Sequence, residues 1–267
     1  MKILVPVKQV ATLDEEFELR DDELDVDHDF CEYDINEWDD YSLEEALRLK
    51  EANEGQEVEV VAVTVGDEEA EDVLRTCMAK GADRAVRIWD ESMEGAGPIA
   101  VARAVAKLAE QEQPELVFAG VQASDHAYAQ TGMQIAALLG RPHVAVINHL
   151  EYTPGDGSAT VRRELEAGLE EELEVDVPAV LTIQLGINEP RYASLKGIKQ
   201  AKGRPIDEYG PADLGLSEED VGAKGSLARV RRMFAPEKGQ AEMIEGTPAE
   251  QAARLAEIIK EFRGAAS

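Results

Sequence analysis

Residues 57–89 read EVEVVAVTVGDEEAEDVLRTCMAKGADRAVRIW, and this stretch decides the fold. EVEVVAVTVG (57–66) is rich in β-branched residues and reads as a strand ending on a glycine. DEEAEDVLRTCMAKG (67–81) has helical spacing, with acids in its first turn, where the helix dipole favours them, and Gly81 as its stop. ADRAVRIW (82–89) is a strand again. Strand, helix and strand of these lengths form a right-handed crossover between parallel neighbours.

The same rhythm extends in both directions. KILVPV (2–7) is a buried strand, and YSLEEALRLKEAN (41–53) an amphipathic helix with Leu43, Ala46 and Leu47 inward. Further on, PIAVARAVAKLAEQ (98–111) is a helix, ELVFAG (115–120) a strand and GMQIAALLG (132–140) a helix. ATVRRELEAGLEEELEV (159–175) is expected to be a hairpin turning at Ala167–Gly168, and VPAVLTIQL (177–185) to close the sheet. The fold class is therefore α/β with a parallel sheet. In such sheets ligands bind beyond the carboxyl ends of the strands, here Pro6–Lys8, Val65–Gly66 and Gly120–Gln122. No GxGxxG and no GxxxxGK[ST] is present, which argues against a standard dinucleotide fold and a P-loop.

The compact rhythm is expected to hold over 1–205. Residues 206–267 read as an arm ending in the helix TPAEQAARLAEIIKEF (247–262), with Thr247 as N-cap, Pro248 in the first turn and Glu250 completing a capping box. Its apolar stripe is Leu255, Ile258, Ile259 and Phe262, which can pack on its own domain or on a partner subunit.

A formal charge of −29 makes nucleic-acid binding an unfavourable reading, because phosphates are repelled over most of the surface. The acids are dispersed, which fits a salt-adapted cytoplasmic protein. MKILVPVKQV is too short an apolar run for a signal peptide, and no segment suggests membrane insertion. Cys31 and Cys77 show neither metal nor redox spacing, and His28, His126, His143 and His149 are scattered, so no metal site is expected. The acidic run 13–30 reads as a solvated face. In NEPRYASLKGIKQAK (188–202), Leu195 and Ile198 stand three apart, as on the inner face of a short helix.

Four separated stretches resemble, in family order, the beta subunit of electron transfer flavoproteins. NEWDDYSLEEALRLKE (36–51) is similar to that family's segment leading into its Glu-Glu-Ala-Leu-Arg-Leu helix, and GADRAVRI (81–88) to its Gly-Ala-Asp-Arg segment. VQASDHAYAQTG (121–132) resembles its nucleotide segment, and residues 161–202 its longest signature. The resemblance covers roughly residues 1–205. It implies a three-layer adenine-nucleotide-binding (alpha-hydrolase-like) domain in a non-catalytic electron carrier of fatty acid oxidation. Such a chain forms a heterodimer with an alpha subunit that holds most of an FAD. It accepts electrons from dehydrogenases of the acyl-CoA type and passes them to a quinone oxidoreductase.

By the same resemblance the chain holds AMP. The cofactor-binding candidates are Pro6, Asn36, Glu37, Trp38, Asp39, Val65, Gly120, Gln122, Ala123, Ser124, Asp125, Gln130 and Thr131. The docking loop spans 183–205, with Arg191, Tyr192, Leu195 and Ile198 as partner contacts and Leu195 as the anchor in a pocket of the dehydrogenase. The chain departs from the family at Glu37, which replaces a proline, and at His126, Ala127, Tyr128 and Ala129, which replace aspartates and an asparagine. Ala129 is similar to electron-bifurcating members that hold a second FAD in place of AMP, whereas Thr131 matches the AMP type. The lysine-rich segment after the anchor is thinned to Lys196, Lys199, Lys202 and Arg204. A nucleotide sensor of the universal-stress type would carry a late Gly-x-x-Gly phosphate loop, which is absent.

Overall fold

The computed structural model describes residues 1–12, 17–28, 31–53, 55–235, 239, 241 and 243–265. Two compact units result, Met1–Arg231 and Arg232–Ser267.

The first unit begins with β1 (Lys2–Pro6), β2 (Gln9–Thr12) and β3 (Glu32–Ile35), followed by α1 (Glu37–Ala52). Next come β4 (Glu59–Val65), α2 (Glu71–Lys80), β5 (Arg84–Ile88), α3 (Pro98–Glu112), β6 (Leu116–Gly120) and α4 (Thr131–Leu139). Then follow β7 (His143–Glu151), β8 (Ser158–Glu164), β9 (Glu170–Asp176), β10 (Ala179–Ile183), α5 (Leu195–Ala201), β11 (Asp207–Tyr209) and α6 (Gly222–Gly225). Among the described residues nine strands pair in the order β11-β5-β4-β1-β6-β10-β7-β8-β9, and β2 and β3 form a separate antiparallel pair. All pairings of the large sheet are parallel except β7–β8 and β8–β9.

Alternation along the central strands makes three layers, because successive side chains leave a strand on opposite faces. Ile3, Val5, Val60, Ala62, Leu116, Phe118, Leu181 and Ile183 share one core with Leu43, Leu47, Leu74 and Cys77 of α1 and α2. Leu4, Val61, Val63, Val117 and Val180 share the other with Ala102, Val105 and Leu108 of α3 and Ile135 of α4. Burial pushes the Cys77 thiol up.

Several sequence expectations change. The 177–185 segment does not close the sheet: β10 lies between β6 and β7, and all five of its residues are buried, as a strand with neighbours on both sides requires. The strand β7 has no counterpart in the sequence reading. Its polar His143, Asn148 and His149 obscure the pattern, and Val146 adopts a left-handed φ of 63° where its N–H donates to Thr182 Oγ1 at 2.8 Å. Helix α1 starts at Glu37 rather than Tyr41, with Glu37, Asp39 and Asp40 in the first turn, where the dipole stabilises acids. The hairpin forms as expected, with Ala167 and Gly168 at φ 61° and 72° in its turn.

The first unit also runs past residue 205. β11 adds an edge strand on β5, and Leu214 and Val221 enter the α3 core. Within the second unit, α7 (Pro248–Ala265) is capped by Glu250, whose Oε2 accepts from the Thr247 N–H and Oγ1, each at 2.8 Å. Leu255, Ile259 and Phe262 stand exposed on it. Of the acidic run 13–30, residues 13–16 and 29–30 lie outside the described residues. Within the remainder, Leu19 bridges Val26, whose side chain is buried.

Candidate functional site

Strand order reverses between β1 and β6, from which the sheet grows outward in both directions. These two strands pair only at Ile3–Leu116 and Leu4–Val117. Beyond those pairs their carboxyl ends are joined by the start of α1. Asp39, 7% exposed, accepts through Oδ2 from the Lys8 N–H at 2.8 Å and through Oδ1 from the Gly120 N–H at 3.1 Å. Asn36, fully buried, does not cap its own helix. Its Nδ2 donates to the Gln122 carbonyl at 2.8 Å, its Oδ1 accepts from the Ser124 N–H at 3.2 Å, and its backbone N–H donates to the Lys8 carbonyl at 2.9 Å.

The turn therefore brackets the crevice with its polar atoms spent on backbone. Burial pushes the Asp39 carboxyl up to about 7, against the hydrogen bonds and the Lys8 charge that favour its ionised form. Glu37 faces solvent, and Trp38 is half-buried with its Nε1–H donating to Gln184 Oε1 at 3.1 Å. Gln184 lines an open cleft of about 570 Å³ together with Val146, Asn148, Glu164, Leu165, Glu166, Leu185 and Gly186.

Gly120 is where the bracket meets β6. A Cβ there would lie 2.3 Å from Asp39 Oδ1 and 2.7 Å from Trp38 Cβ, with neither neighbour free to give. Gly120→Ala is accordingly expected to destabilise the chain by roughly 2–3 kcal/mol, the upper range for overpacking. A urea denaturation midpoint equal to that of the parent would contradict this close packing.

The loop after β6 carries Gln122, Ala123, Ser124 and Asp125, then Ala127 and Ala129 at φ 48° and 53°. Between and beside these left-handed alanines the rings of His126 and Tyr128 stack with centroids 5.6 Å apart and planes at 6°. Lys8 Nζ reaches across from the end of β1 to Asp125 Oδ2 at 2.5 Å and His126 Nδ1 at 3.2 Å. Burial opposes ionisation of Asp125, yet the His126 hydrogen bond and the Lys8 charge outweigh it and hold that carboxyl well below the usual range.

Helix α4 opens at Thr131 after Gln130, with no side-chain cap and no acid in its first turn. The amides of that turn are left for an external acceptor, and the dipole there favours an anion. Gln130 Oε1 accepts from Gln134 Nε2 at 3.1 Å. Pro6 and Val65, both half-buried, end their strands at the same edge of the sheet. These donors and the bracketed crevice fit a phosphate-bearing nucleotide.

The segment after β10 is pinned to α1. Asn188 Nδ2 donates to the Tyr41 carbonyl at 3.0 Å and to Glu45 Oε2 at 2.9 Å. Arg191 forks onto Glu44, at 2.8 and 3.0 Å, and onto Glu51, at 2.5 and 3.0 Å. The guanidinium of Arg191 is thus turned inward. Tyr192 is 97% exposed, Leu195 87% and Ile198 41%. α5 packs through Gly197 and Ala201 instead: a Cβ on Gly197 would lie 2.2 Å from the Ala79 carbonyl oxygen, and Ala201 is 2% exposed. Ser194 caps α5 by accepting from the Gly197 N–H at 3.0 Å. The inner-face reading of Leu195 fails, because backbone contact fills the place its side chain would need.

Lys8, Gln184 and Asn188 were not singled out by the sequence. Lys8 had a signal in its place at a strand end, and Gln184 and Asn188 in lying within the 183–205 loop. Among the described residues no group of three His, Cys, Asp or Glu could hold a metal ion, and no helix is long and apolar enough to cross a membrane.

The profile of the electron transfer flavoprotein domain family matches residues 27–214. The chain is 58% identical over 265 residues to the electron transfer flavoprotein subunit beta of Methylophilus methylotrophus, covering 99% of this chain and 100% of that one. It is 35% identical over 236 residues to the subunit of the same name in Bacillus subtilis, covering 88% and 89% of the two chains. With the Homo sapiens subunit it shares 37% identity over 232 residues, covering 86% and 88%.

Proposed function

The chain belongs to the electron transfer flavoprotein family, in its beta-subunit branch, and from that premise we propose that it is the nucleotide-holding and partner-docking half of a soluble cytoplasmic heterodimer. It is a carrier subunit rather than an enzyme. Its alpha subunit holds most of an FAD, which supplies the electron-accepting and electron-donating chemistry when bound. Dehydrogenases of the acyl-CoA type are the proposed donors and a quinone oxidoreductase the proposed acceptor. The second unit, from Arg232, with the exposed face of α7, is proposed to pack on the alpha subunit.

The observation that carries the docking role is Leu195, an aliphatic side chain held out in solvent on a segment that Arg191 and Ser194 make rigid. An ordered loop with an exposed apolar anchor loses little entropy on binding, which suits a transient contact with few strong points. Ile198 and Tyr192 extend the anchor. The crevice between β1 and β6 is proposed to hold AMP, with the adenine beside Pro6 and Val65 and the phosphate at the loop of Gln122–Asp125 and the start of α4. Trp38 then stands where the crevice meets the flavin side, next to the Gln184 cleft.

Coexpression with the alpha subunit is expected to give a yellow heterodimer, while this chain alone binds little or no FAD. Acid extraction and chromatography of the heterodimer should yield one FAD and one AMP. Two FAD and no AMP would assign the crevice to a flavin and the protein to the electron-bifurcating type, to which Ala129 is similar.

A further inference from the structure

We propose that Lys8 is the counter-charge that binds the nucleotide's phosphate, and that Asp125 is its resting partner, displaced by that phosphate. The proposal rests on the reading of the β1–β6 crevice as an adenine-nucleotide site. Lys8 is the residue most firmly set there. Its N–H is held by Asp39 and its carbonyl by Asn36, so the direction in which its side chain leaves β1 is fixed at both ends of the residue. The ammonium spans from β1 to the loop after β6, the two walls of the crevice.

The charge balance requires such a group. The chain carries −29, and the ionised Asp125 lies on the loop proposed to receive the phosphate, so an incoming phosphate meets repulsion that backbone dipoles would otherwise have to offset alone. Lys8 is the cation that the structure places on that loop.

Its present pairing is easily exchanged. The Lys8 side chain is 43% exposed, so its ammonium can leave Asp125 with little change in its own contact with water. A phosphate offers more acceptor oxygens and more charge to the same ammonium. His126, stacked on Tyr128 and 3.2 Å from the ammonium, stays beside Asp125 when the lysine moves.

The signs of two substitutions separate this role from a merely structural one. In the heterodimer coexpressed with the alpha subunit, Lys8→Met is expected to release AMP at least tenfold faster on gel filtration, measured by extraction, with FAD content unchanged. Lys8→Arg should retain it. Asp125→Asn should release AMP no faster than the parent, because it removes the negative charge that competes with the phosphate for the ammonium. A Lys8→Met protein that keeps AMP at the parent's rate overturns the proposal, as does Asp125→Asn losing AMP as fast as Lys8→Met, which would make the pair a structural clasp. If the parent yields a second FAD and no AMP, the AMP reading fails while Lys8 is scored by the rate at which that FAD is lost. A parent holding no second nucleotide overturns both.

Discussion

Leu195→Ala is expected to slow electron transfer from the partner dehydrogenase ten- to a hundredfold at sub-saturating concentrations, with flavin content and melting temperature of the heterodimer unchanged. An exposed leucine that becomes buried in an apolar pocket contributes on the order of 1.5–3 kcal/mol to association, which is the stated range in affinity. The stability half follows from its position. At 87% exposed, Leu195 contributes no core contact in the free chain, so truncating it opens no cavity. Stopped-flow flavin reduction over a range of dehydrogenase concentrations, beside a thermal melt, checks both halves. A large fall in melting temperature with normal transfer per folded molecule would make Leu195 a structural residue.

Loss of stability as well as of docking is expected of Arg191→Ala, only four residues earlier. Glu44 is 6% exposed, and Arg191 is its ion-pair partner. Removing the guanidinium leaves a buried carboxylate unpaired, which costs about 3 kcal/mol after allowance for the partial exposure of Arg191. The carboxyl of Glu51, held below the usual range by the same guanidinium, loses its partner as well. Docking should weaken too, because the loop that presents Leu195 is no longer held to α1. Equilibrium urea unfolding gives the first effect, and the double variant Arg191→Met with Glu44→Gln should recover much of it, since it leaves no buried charge alone. A single variant as stable as the parent would show that Arg191 does not anchor the loop.

This pair of residues illustrates what the sequence could and could not tell. The alternating elements from residue 57 to 89 were legible because each obeys a local period, and so were β1, α3 and the hairpin turn at Ala167–Gly168. The resemblance marked the docking segment, but it could not say that Arg191 turns inward, since that depends on Glu44 and Glu51 lying on the facing turns of α1. Asn36 and Asp39 were marked as cofactor residues, but not as the side chains that hold the Gln122 carbonyl and the Gly120 N–H, a relation between segments more than 80 residues apart in the chain. The strand β7 was hidden because its residues do not alternate cleanly, and the central place of β10 because local pattern carries no strand order. The role of β11 was masked by the Gly, Pro and charged residues around it.

The position of β10 has a consequence for how the chain is made. Among the described residues β7, β8 and β9 pair with the rest of the sheet through β10 alone, yet β10 is synthesised after all three. At roughly 5–20 residues per second, several seconds separate the emergence of β6 from that of its neighbour. During that interval a nascent chain on the ribosome carries a four-stranded half-sheet with two raw edges, β6 awaiting β10 and β5 awaiting β11, and a finished antiparallel meander with nothing to hold. Residues 179–183 then slot between them and join the two halves in one late step. Such an edge is open to foreign strands until it is filled. The newborn chain is therefore most in need of a chaperone when it is about two-thirds complete.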